Sequence, residues 1–361
     1  SMTVTPGPQV RVGEVFTSGN FRTRTPILVR DLPSGGDFLR PGELRESERK
    51  LRNLGVFNTV RVLPFGLDDG ASISSVPVLV EVEESSSQFL DFALGFESLN
   101  RVDLSSAESG KMPPPVSSVV SNGVELEDRA KGYSGNPVPF DVPDLLLVFQ
   151  TEYLNNNLFG NGQEFRIPVK YGVSTTDPLR VLAGAPTWIE RRFMGSELVL
   201  RETLYGLYDK ARNPFDLLEV GSQTEVSTAL TQHLFLSARY NLSANSVRQL
   251  DVDEPRFESP DLINKFSPTF GFQKLDALTH PTEGFGATLT SSYINSIELE
   301  NGNASNYLKW LGSLKGFVNA RGRIVLANFV KIGAAYSVEG NPLPEVERFR
   351  LGGAKGVRGF E

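Results

Sequence analysis

The sequence has no cysteine and very few histidines. Among its 361 residues there are no Cys, two His, three Met and two Trp. Without thiolates the chain can form neither a disulfide framework nor a cysteine zinc site, and two isolated imidazoles exclude a site built on clustered histidines. We therefore expect no bound metal and no cofactor.

Basic charge is also scarce. The chain carries 36 Lys and Arg against 43 Asp and Glu, a formal net charge of −7. Because no basic excess is available to attract phosphate backbones, nucleic acid is not an expected partner.

Long apolar runs are absent as well. No stretch approaches the roughly 18 apolar residues of a membrane-spanning helix, and the N-terminus has no basic and then apolar signal segment. A transmembrane β-barrel is not excluded, because its strands alternate lipid-facing and lumen-facing residues and so have modest mean hydropathy. The 34 Gly, 23 Pro and 24 Phe are typical of strands and turns. The spacing of apolar residues along the chain is therefore the evidence that can indicate a β-barrel.

The first part of the chain has the pattern of a small α+β domain. A strand over residues 10–16 precedes a short helix from Thr25 to about Asp31. An amphipathic helix follows and ends at Gly55, a residue suited to a left-handed cap. Two further strands, 58–65 and 76–83, complete a domain that we place at residues 8–85.

From Phe89 onward, apolar residues recur at every second position. This pattern predicts eleven strands, of the length that a tilted strand needs to cross a bilayer. The fourth predicted strand, 180–188, is the weakest prediction because it contains Pro186. Short turns alternate with long polar loops, as in an outer-membrane barrel, although a soluble β-sandwich also alternates. The strands are 89–98, 145–155, 163–173, 180–188, 196–209, 221–232, 234–246, 266–276, 285–294, 307–320 and 324–338.

Catalytic motifs are not recognisable in this sequence. The glycines of residues 348–360 match neither phosphate-binding template, and no nucleophile elbow, His-Glu-x-x-His helix or dinucleotide fingerprint occurs. Paired carboxylates for glycoside hydrolysis are not excluded by sequence, but nothing points to them. We predict that the protein is not an enzyme.

Two segments resemble parts of one known family. Residues 15–20 and 51–60 resemble a POTRA domain, the periplasmic module of outer-membrane assembly factors. The C-terminal string resembles the Val-Arg-Gly-Phe signature in the sixth external loop of the BamA/TamA superfamily, which also includes the transporters of two-partner secretion. Strings at 156–163 and 276–284 resemble further family features. The residues of the loop-six signature are Gly352, Gly353, Val357, Arg358, Gly359 and Phe360.

The resemblance implies an α+β POTRA domain followed by an antiparallel transmembrane β-barrel. Residues 8–85 would be the last POTRA domain before the barrel. Residues 89–361 would be the N-terminal portion of the barrel, about eleven of the family's sixteen strands, ending in the sixth external loop. The expectation is that this chain is a fragment of a longer protein. Arg358 would donate to a carboxylate on the inner barrel wall, where the glycines allow the loop to fold tightly.

The implied function is insertion of β-barrel proteins into the outer membrane through a lateral seam at the first barrel strand. Two alternatives stay open: a two-partner-type secretion pore that translocates a polypeptide through the lumen, and a soluble β-sandwich binding module. The seam residues would be Phe89, Leu90, Phe92, Leu94, Gly95 and Phe96. Extended clients would first pair with the POTRA edge strand, at Thr59, Val60, Arg61, Val62 and Leu63.

Location and partners follow from the same resemblance. The barrel would lie in an outer membrane of the Gram-negative type or its organelle equivalent, with the POTRA domain in the periplasm. Its partners would be unfolded outer-membrane β-barrel clients, periplasmic chaperones or accessory assembly subunits, and outer-membrane lipid.

Overall fold

A computed structural model describes most of the chain, and it divides into two compact units. The first unit consists of Ser1–Phe89, Tyr153–Phe165 and Ile189–Ser196, and the second of Leu90–Glu152, Arg166–Trp188 and Glu197–Glu361. The described residues are 9–66, 74–99, 144–174, 178–210, 215–249, 260–277, 280–320, 324–344, 347 and 349.

The N-terminal part of the first unit is a three-stranded sheet with two helices. Its central strand, β3, runs parallel to β1 and antiparallel to β2. Each helix has proline in its first turn, where the missing N–H costs no hydrogen bond. In chain order the elements are β1 (Arg11–Ser18), α1 (Thr25–Val29), α2 (Pro41–Arg52), β2 (Phe57–Pro64) and β3 (Ser75–Glu84).

The core of this N-terminal region is apolar. Alternate residues of β2 and β3, including Val60 and Val80, point to the same side as Leu28 of α1 and Leu51 of α2, and all four are fully buried. The apolar residues of the helices and of the strands thus pack into one hydrophobic cluster. This is the ordinary arrangement of a small α+β fold.

The remaining strands form one twelve-stranded sheet. Neighbours in sequence are neighbours in space along most of the order β15-β14-β13-β12-β11-β10-β9-β7-β6-β5-β4, and β8 pairs with β6 and β9. The strands are β4 (Gln88–Leu99), β5 (Asp144–Leu158), β6 (Gln163–Ser174), β7 (Val181–Gly184), β8 (Thr187–Glu190), β9 (Val199–Asp209), β10 (Phe215–Ala229), β11 (Leu234–Gln249), β12 (Asp261–Leu275), β13 (Gly284–Glu298), β14 (Ala304–Ala320) and β15 (Ile324–Ser337).

All eleven predicted segments contain a strand, but the fourth is divided. The segment predicted over 180–188 forms β7 and β8, which are separated by Ala185 and Pro186. Proline has no N–H to continue the ladder, so the division falls where the sequence indicated weakness. Among the described ranges, no helix is both long and apolar enough to cross a membrane.

The pairing in this sheet is long and regular. The β13–β14 pair runs without a register shift from Gly284 opposite Phe317 to Ile297 opposite Ala304. Since successive side chains of a strand point to opposite faces, an unbroken register gives every strand the same two faces.

Candidate functional site

Strand β4, the predicted seam, lies at one end of the strand order. In the part of the chain that the structure describes, its only neighbour in the sheet path is β5. One face of β4 carries Leu90, Phe92, Leu94 and Phe96, which are between 57 and 76% exposed. Phe89 lies on the other face and is also exposed. The strand therefore presents a backbone edge together with an apolar row.

Gly95 lies within β4, on the face opposite to this apolar row. A Cβ added to Gly95 would meet no other atom within 4 Å, so neighbouring atoms do not require glycine at this position. Its effect is the absence of a side chain that could pack on the next strand, which weakens a strand locally.

The opposite end of the strand order is β15. Within the described ranges it pairs with β14 alone, from Ile324 opposite Ala320 to Ser337 opposite Tyr307. Its apolar side chains Leu326, Phe329 and Ile332 are more than half exposed. Among the described strands, the sheet thus ends in β4 and β15, and each of these carries exposed apolar residues.

The predicted POTRA edge strand is β2, which pairs only with β3 among the described strands. Val60 and Val62 point into the apolar core, whereas Thr59, Arg61 and Leu63 point outward. The Thr59 hydroxyl donates to Glu83 at 3.0 Å, and the Arg61 guanidinium lies 3.5 Å from the carboxylate of Glu81. The strand is therefore fixed on one side by β3, with its other backbone edge unpaired in the sheet.

The large sheet has a polar buried face and an apolar exposed face. The neighbouring residues Leu218 and Glu219 of β10 illustrate this: the leucine is 48% exposed, whereas the glutamate is 1% exposed. Buried polar residues include Thr203, Gln223, Glu225, Asn241, Ser243, Asn245, Ser267, Ser292 and Ser296. Exposed apolar residues include Val220, Leu236, Tyr240, Phe266, Phe270, Phe285, Leu289, Tyr293 and Leu314. Soluble sheets have the reverse distribution.

The buried polar side chains are joined by hydrogen bonds and ion pairs. The Tyr205 hydroxyl lies 3.0 Å from both Glu219 Oε1 and Asn241 Oδ1. The carboxylate of Glu225 accepts from Arg201 at 3.5 Å and from Arg239 at 3.3 Å. These pairs satisfy groups that would be costly to bury alone. Tyr205, Glu219, Glu225, Arg239 and Asn241 line an open cavity of about 340 Å³.

One glycine makes room for this network. Gly221 of β10 lies directly opposite Tyr205 of β9. A Cβ at Gly221 would approach the Tyr205 hydroxyl oxygen to 2.6 Å, so the tyrosine ring can lie across the strand only above a residue without a side chain.

The string at 156–163 forms the β5–β6 turn, and the structure includes this turn in the first compact unit. Asn157 donates from Nδ2 to the Thr23 hydroxyl at 2.9 Å, and Asn156 Nδ2 donates to the Gly55 carbonyl at 3.0 Å. Gly160 has φ +75°, and a Cβ there would lie 2.3 Å from the Arg22 carbonyl oxygen. The turn was predicted from the sequence, but its partners in the N-terminal region were not.

A neighbouring segment of the same unit adds charge. The Arg192 guanidinium forms an ion pair with the buried carboxylate of Asp31, and Glu190 faces Arg30. Burial lowers the pKa of Arg30 from its ordinary value, and the charge of Glu190 opposes that effect. Nothing in the local sequence around residues 189–196 indicates this association.

The string at 276–284 closes the β12–β13 turn around one carboxylate. Asp276 accepts from the Thr282 hydroxyl at 2.6 Å and from the backbone N–H groups of Thr282 and Glu283. The side-chain hydrogen bond from Thr282, reinforced by the backbone donors, lowers the pKa of Asp276 to about 2. The motif is thus a self-contained turn stabilised by ionised Asp276.

The loop-six signature lies outside the described residues. Gly352, Gly353, Val357, Arg358, Gly359 and Phe360 are consequently known here from the sequence alone. The described residues closest to them along the chain are Glu347 and Phe349. Glu347 is not among the site residues predicted from the sequence, although it lies only five positions before the first signature glycine.

A continuous antiparallel sheet whose buried face is polar and whose exposed face is apolar is typical of membrane-spanning β-proteins. A β-sandwich would bury an apolar face between two packed sheets, whereas these strands form a single sheet. A family profile described as "Omp85 superfamily domain" matches residues 157–361, more than half of the chain. The chain belongs to the Omp85 superfamily, which confirms the resemblance found in the sequence.

Individual relatives agree with this assignment. The chain is 22% identical over 357 residues to the outer membrane protein assembly factor BamA of Neorickettsia risticii, covering 97% of this chain and 40% of that protein. Its fold is similar to a crystal structure of Haemophilus ducreyi BamA lacking POTRA domains 1–3, with a TM-score of 0.68 and 12% identity, over 98% of this chain and 60% of the other.

A third relative shares the fold. CdiB from Acinetobacter baumannii matches with a TM-score of 0.52 and 10% identity, over 98% of this chain and 57% of that one. The chain thus spans between about two fifths and three fifths of the length of these relatives.

Proposed function

We propose that this chain is part of an outer-membrane assembly factor that inserts β-barrel clients through a seam at β4. The observation that carries the proposal is the position of β4 at the end of the strand order, with one neighbour among the described strands and an exposed apolar row. An incoming strand could pair with this backbone edge and place its own apolar face beside that row.

The proposed chemistry is hydrogen bonding and apolar burial. In lipid every backbone N–H and C=O must find a partner, so an unpaired client strand gains free energy by pairing with the edge of β4. The same requirement drives the client to close its own sheet and leave. No bond to a substrate is made or broken, so the proposal requires neither catalysis nor a cofactor.

We propose that the N-terminal region, residues 8–85, is a POTRA domain on the periplasmic side of the outer membrane. In support, the outer face of its sheet carries an apolar row formed by Phe16, Leu79 and Leu63, which lie opposite one another on β1, β3 and β2. This row reaches the unpaired edge of β2, where an unfolded client, a periplasmic chaperone or an accessory assembly subunit could add a strand.

A secretion pore is the second candidate, and the polar buried face favours it. Polar side chains such as Glu225, Arg239 and Asn241 line an open cavity on this face, and a polypeptide in transit could hydrogen-bond to them. The two functions differ in the route of the substrate, which passes along the sheet face in the pore and between strand edges in the assembly factor.

A disulfide across the seam separates the two functions. The given sequence contains no cysteine, so Phe92→Cys adds the only thiol within it, and this thiol is paired with a cysteine introduced in the last strand of the complete protein. For an assembly factor we expect oxidation to stop insertion of clients into vesicles and reduction to restore it. Unchanged insertion by the oxidised protein would contradict a seam at β4.

A matched control uses two strands that the proposal does not require to separate. Leu289→Cys and Gly312→Cys lie opposite each other on β13 and β14, and their oxidation should leave insertion unchanged. Depletion of the protein in cells adds a second test. Loss of many unrelated β-barrel proteins is expected for an assembly factor, whereas loss of one secreted protein is expected for a pore.

A further inference from the structure

The segment that follows β15 lies against the polar face of the large sheet. The Tyr307 hydroxyl of β14 donates to the Pro342 carbonyl at 2.8 Å. Leu343 packs on Ile263, Ile294 and Tyr307 of β12, β13 and β14. These contacts bring a non-strand segment onto three neighbouring strands, directly before the residues of the loop-six signature.

Glu347, at the far end of this segment, is held by two lysines. Lys265 Nζ of β12 donates to Glu347 Oε1 and Oε2, each at 3.0 Å. Lys309 Nζ of β14 donates to Glu347 Oε2 at 3.1 Å and to its backbone carbonyl at 2.8 Å. The carboxylate is 2% exposed, and both lysine side chains are less than 20% exposed.

The charges around this contact favour a carboxylate over a neutral side chain. Lys265 and Lys309 lie on strands separated by β13, whose residues opposite them, Ile294 and Ser292, carry no charge. Without Glu347 two partly buried ammonium groups would face one space with no carboxylate between them in the described contacts. A carboxylate there attracts both, and a neutral side chain would leave both lysines poorly compensated.

Phe349 adds a second contact to Lys309. Lys309 Nζ lies 5.0 Å from the centre of the Phe349 ring, within the range of a cation–π interaction. The same ring lies against Gly333 of β15, where a Cβ would come within 2.5 Å of a ring carbon. One lysine therefore contacts two residues of the segment at once.

We propose that Glu347 is a positioning residue that fixes the start of the signature loop by binding between Lys265 and Lys309. The first signature glycine, Gly352, lies five residues further along the chain, and Arg358 lies eleven further. An ionic anchor at Glu347 limits where these residues can reach, whichever group Arg358 itself binds. This inference does not depend on whether the protein inserts or secretes its substrate.

Limited trypsin digestion of the complete protein in detergent or vesicles tests the anchor. Trypsin cleaves after Arg348 and Arg350, the first two basic residues that follow Glu347. For Glu347→Gln we expect cleavage at these two sites, identified by mass spectrometry, to accelerate about tenfold or more, because cleavage follows the population of the detached segment.

Glu225→Gln is the matched control. Glu225 is also a buried carboxylate between two basic side chains on the polar face, but it accepts from Arg201 and Arg239, which lie on β9 and β11. This variant should leave cleavage after Arg348 and Arg350 unchanged. Equal acceleration in both variants would show a general loosening of the sheet and would overturn the proposal.

A charge exchange separates positioning from simple loss of stability. The triple variant Glu347→Lys, Lys265→Glu and Lys309→Glu restores attraction with the signs reversed, and it should regain slow cleavage relative to Glu347→Lys alone. If Glu347→Gln does not assemble, Lys265→Gln tests the same contact with Lys309 still present, and a smaller acceleration is expected.

The outcomes are distinct from those of the seam experiment. Unchanged cleavage in a folded Glu347→Gln variant, or failure of the charge exchange to slow cleavage, would overturn the anchor and leave the proposed function untouched. A wrongly placed seam would instead be revealed by unchanged client insertion by the oxidised Phe92→Cys protein, and it would leave the expected cleavage after Arg348 and Arg350 as it is.

Discussion

The N-terminal region buries apolar side chains, whereas the large sheet buries mainly polar ones. In the first, Leu28, Leu51 and Val80 are buried, and charged side chains such as Arg61 face outward. In the second, Glu219 is buried while its neighbour Leu218 is exposed. Both regions use the same alternation of side chains along strands.

The comparison shows that the period of a strand does not say which face is buried. The apolar face turns away from water in either case: toward a core in the N-terminal region and, under our proposal, toward lipid in the large sheet. The polar face then becomes the inner one and is stabilised by networks such as that of Tyr205, Glu219 and Asn241.

The largest effect is expected from a cavity in the apolar core. Leu51→Ala removes a fully buried side chain and should lower the stability of the N-terminal region by about 2–5 kcal/mol. Hydrogen exchange of the α2 amides in the complete protein measures this loss. The exposed residue Arg45 provides the control, since Arg45→Ala should change stability by less than about 0.5 kcal/mol. Similar effects of both substitutions would contradict the assigned core.

Introducing the same charge on the outer face of each region distinguishes lipid from water. Leu289→Arg on β13 should destabilise the sheet in vesicles by about 2–4 kcal/mol if that face contacts the centre of the bilayer. Leu63→Arg on β2 is the matched substitution, since Leu63 is similarly exposed, and it should cost no more than about 0.5 kcal/mol. Unfolding by urea, followed separately for the two regions, gives both values. Equal losses of stability for Leu289→Arg and Leu63→Arg would contradict the proposal that one outer face contacts lipid and the other contacts water.

A smaller loss of stability is expected when one hydroxyl is removed from the polar network of the large sheet. Tyr205→Phe removes a hydroxyl that lies 3.0 Å from Glu219 and Asn241, and the cost should be about 1–3 kcal/mol because buried acceptors lose a donor. Tyr240→Phe is the control, since its hydroxyl donates to Asn264 at an exposed position. Urea unfolding in vesicles should show the larger loss for Tyr205→Phe, and the reverse order would indicate that the network contributes little.

The smallest effect concerns pH and the Asp276 turn. The pKa of Asp276 is lowered to about 2 in the folded protein, against about 3.9 for an unfolded chain. Ionised Asp276 therefore stabilises the fold above about pH 4, and this contribution is lost as the pH falls from about 4 toward 2. Asp276→Asn should lower stability at pH 5 and reduce its pH dependence in that window. Glu283→Gln serves as control, and an identical pH profile for Asp276→Asn and the unaltered protein would refute the assignment.

Much of the strand pattern could be predicted because it is local. An apolar residue at every second position identifies a strand from a few neighbours, and it located all eleven predicted segments of the large sheet. The prediction was less accurate at strand ends. Residues 215–220 were assigned to a loop, yet they pair with β11 as the first part of β10. Glu219 looks like a loop residue in sequence because polarity normally indicates exposure, whereas here it indicates the inner face.

The site was predictable only where it depends on a single strand. The seam strand was found from its own residues, Leu90 to Phe96, and its function stays a proposal. The contact of Glu347 with Lys265 and Lys309 joins residues separated by 82 and 38 positions. No spacing rule links such distant residues, since only the register of β12, β13 and β14 brings them together. The partners of Asn156 and Asn157 were missed for the same reason.

The glycine opposite Tyr205 has a consequence for how β9 and β10 align during folding. A slip by one residue would place Val220 or Ser222 beneath the tyrosine ring in place of Gly221, and either side chain would occupy the space of the ring. Because long antiparallel strands can slide past one another with little loss of backbone pairing, such a mismatch penalises the wrong alignment. Gly221 thus favours the observed register of β9 and β10 over registers shifted by one residue.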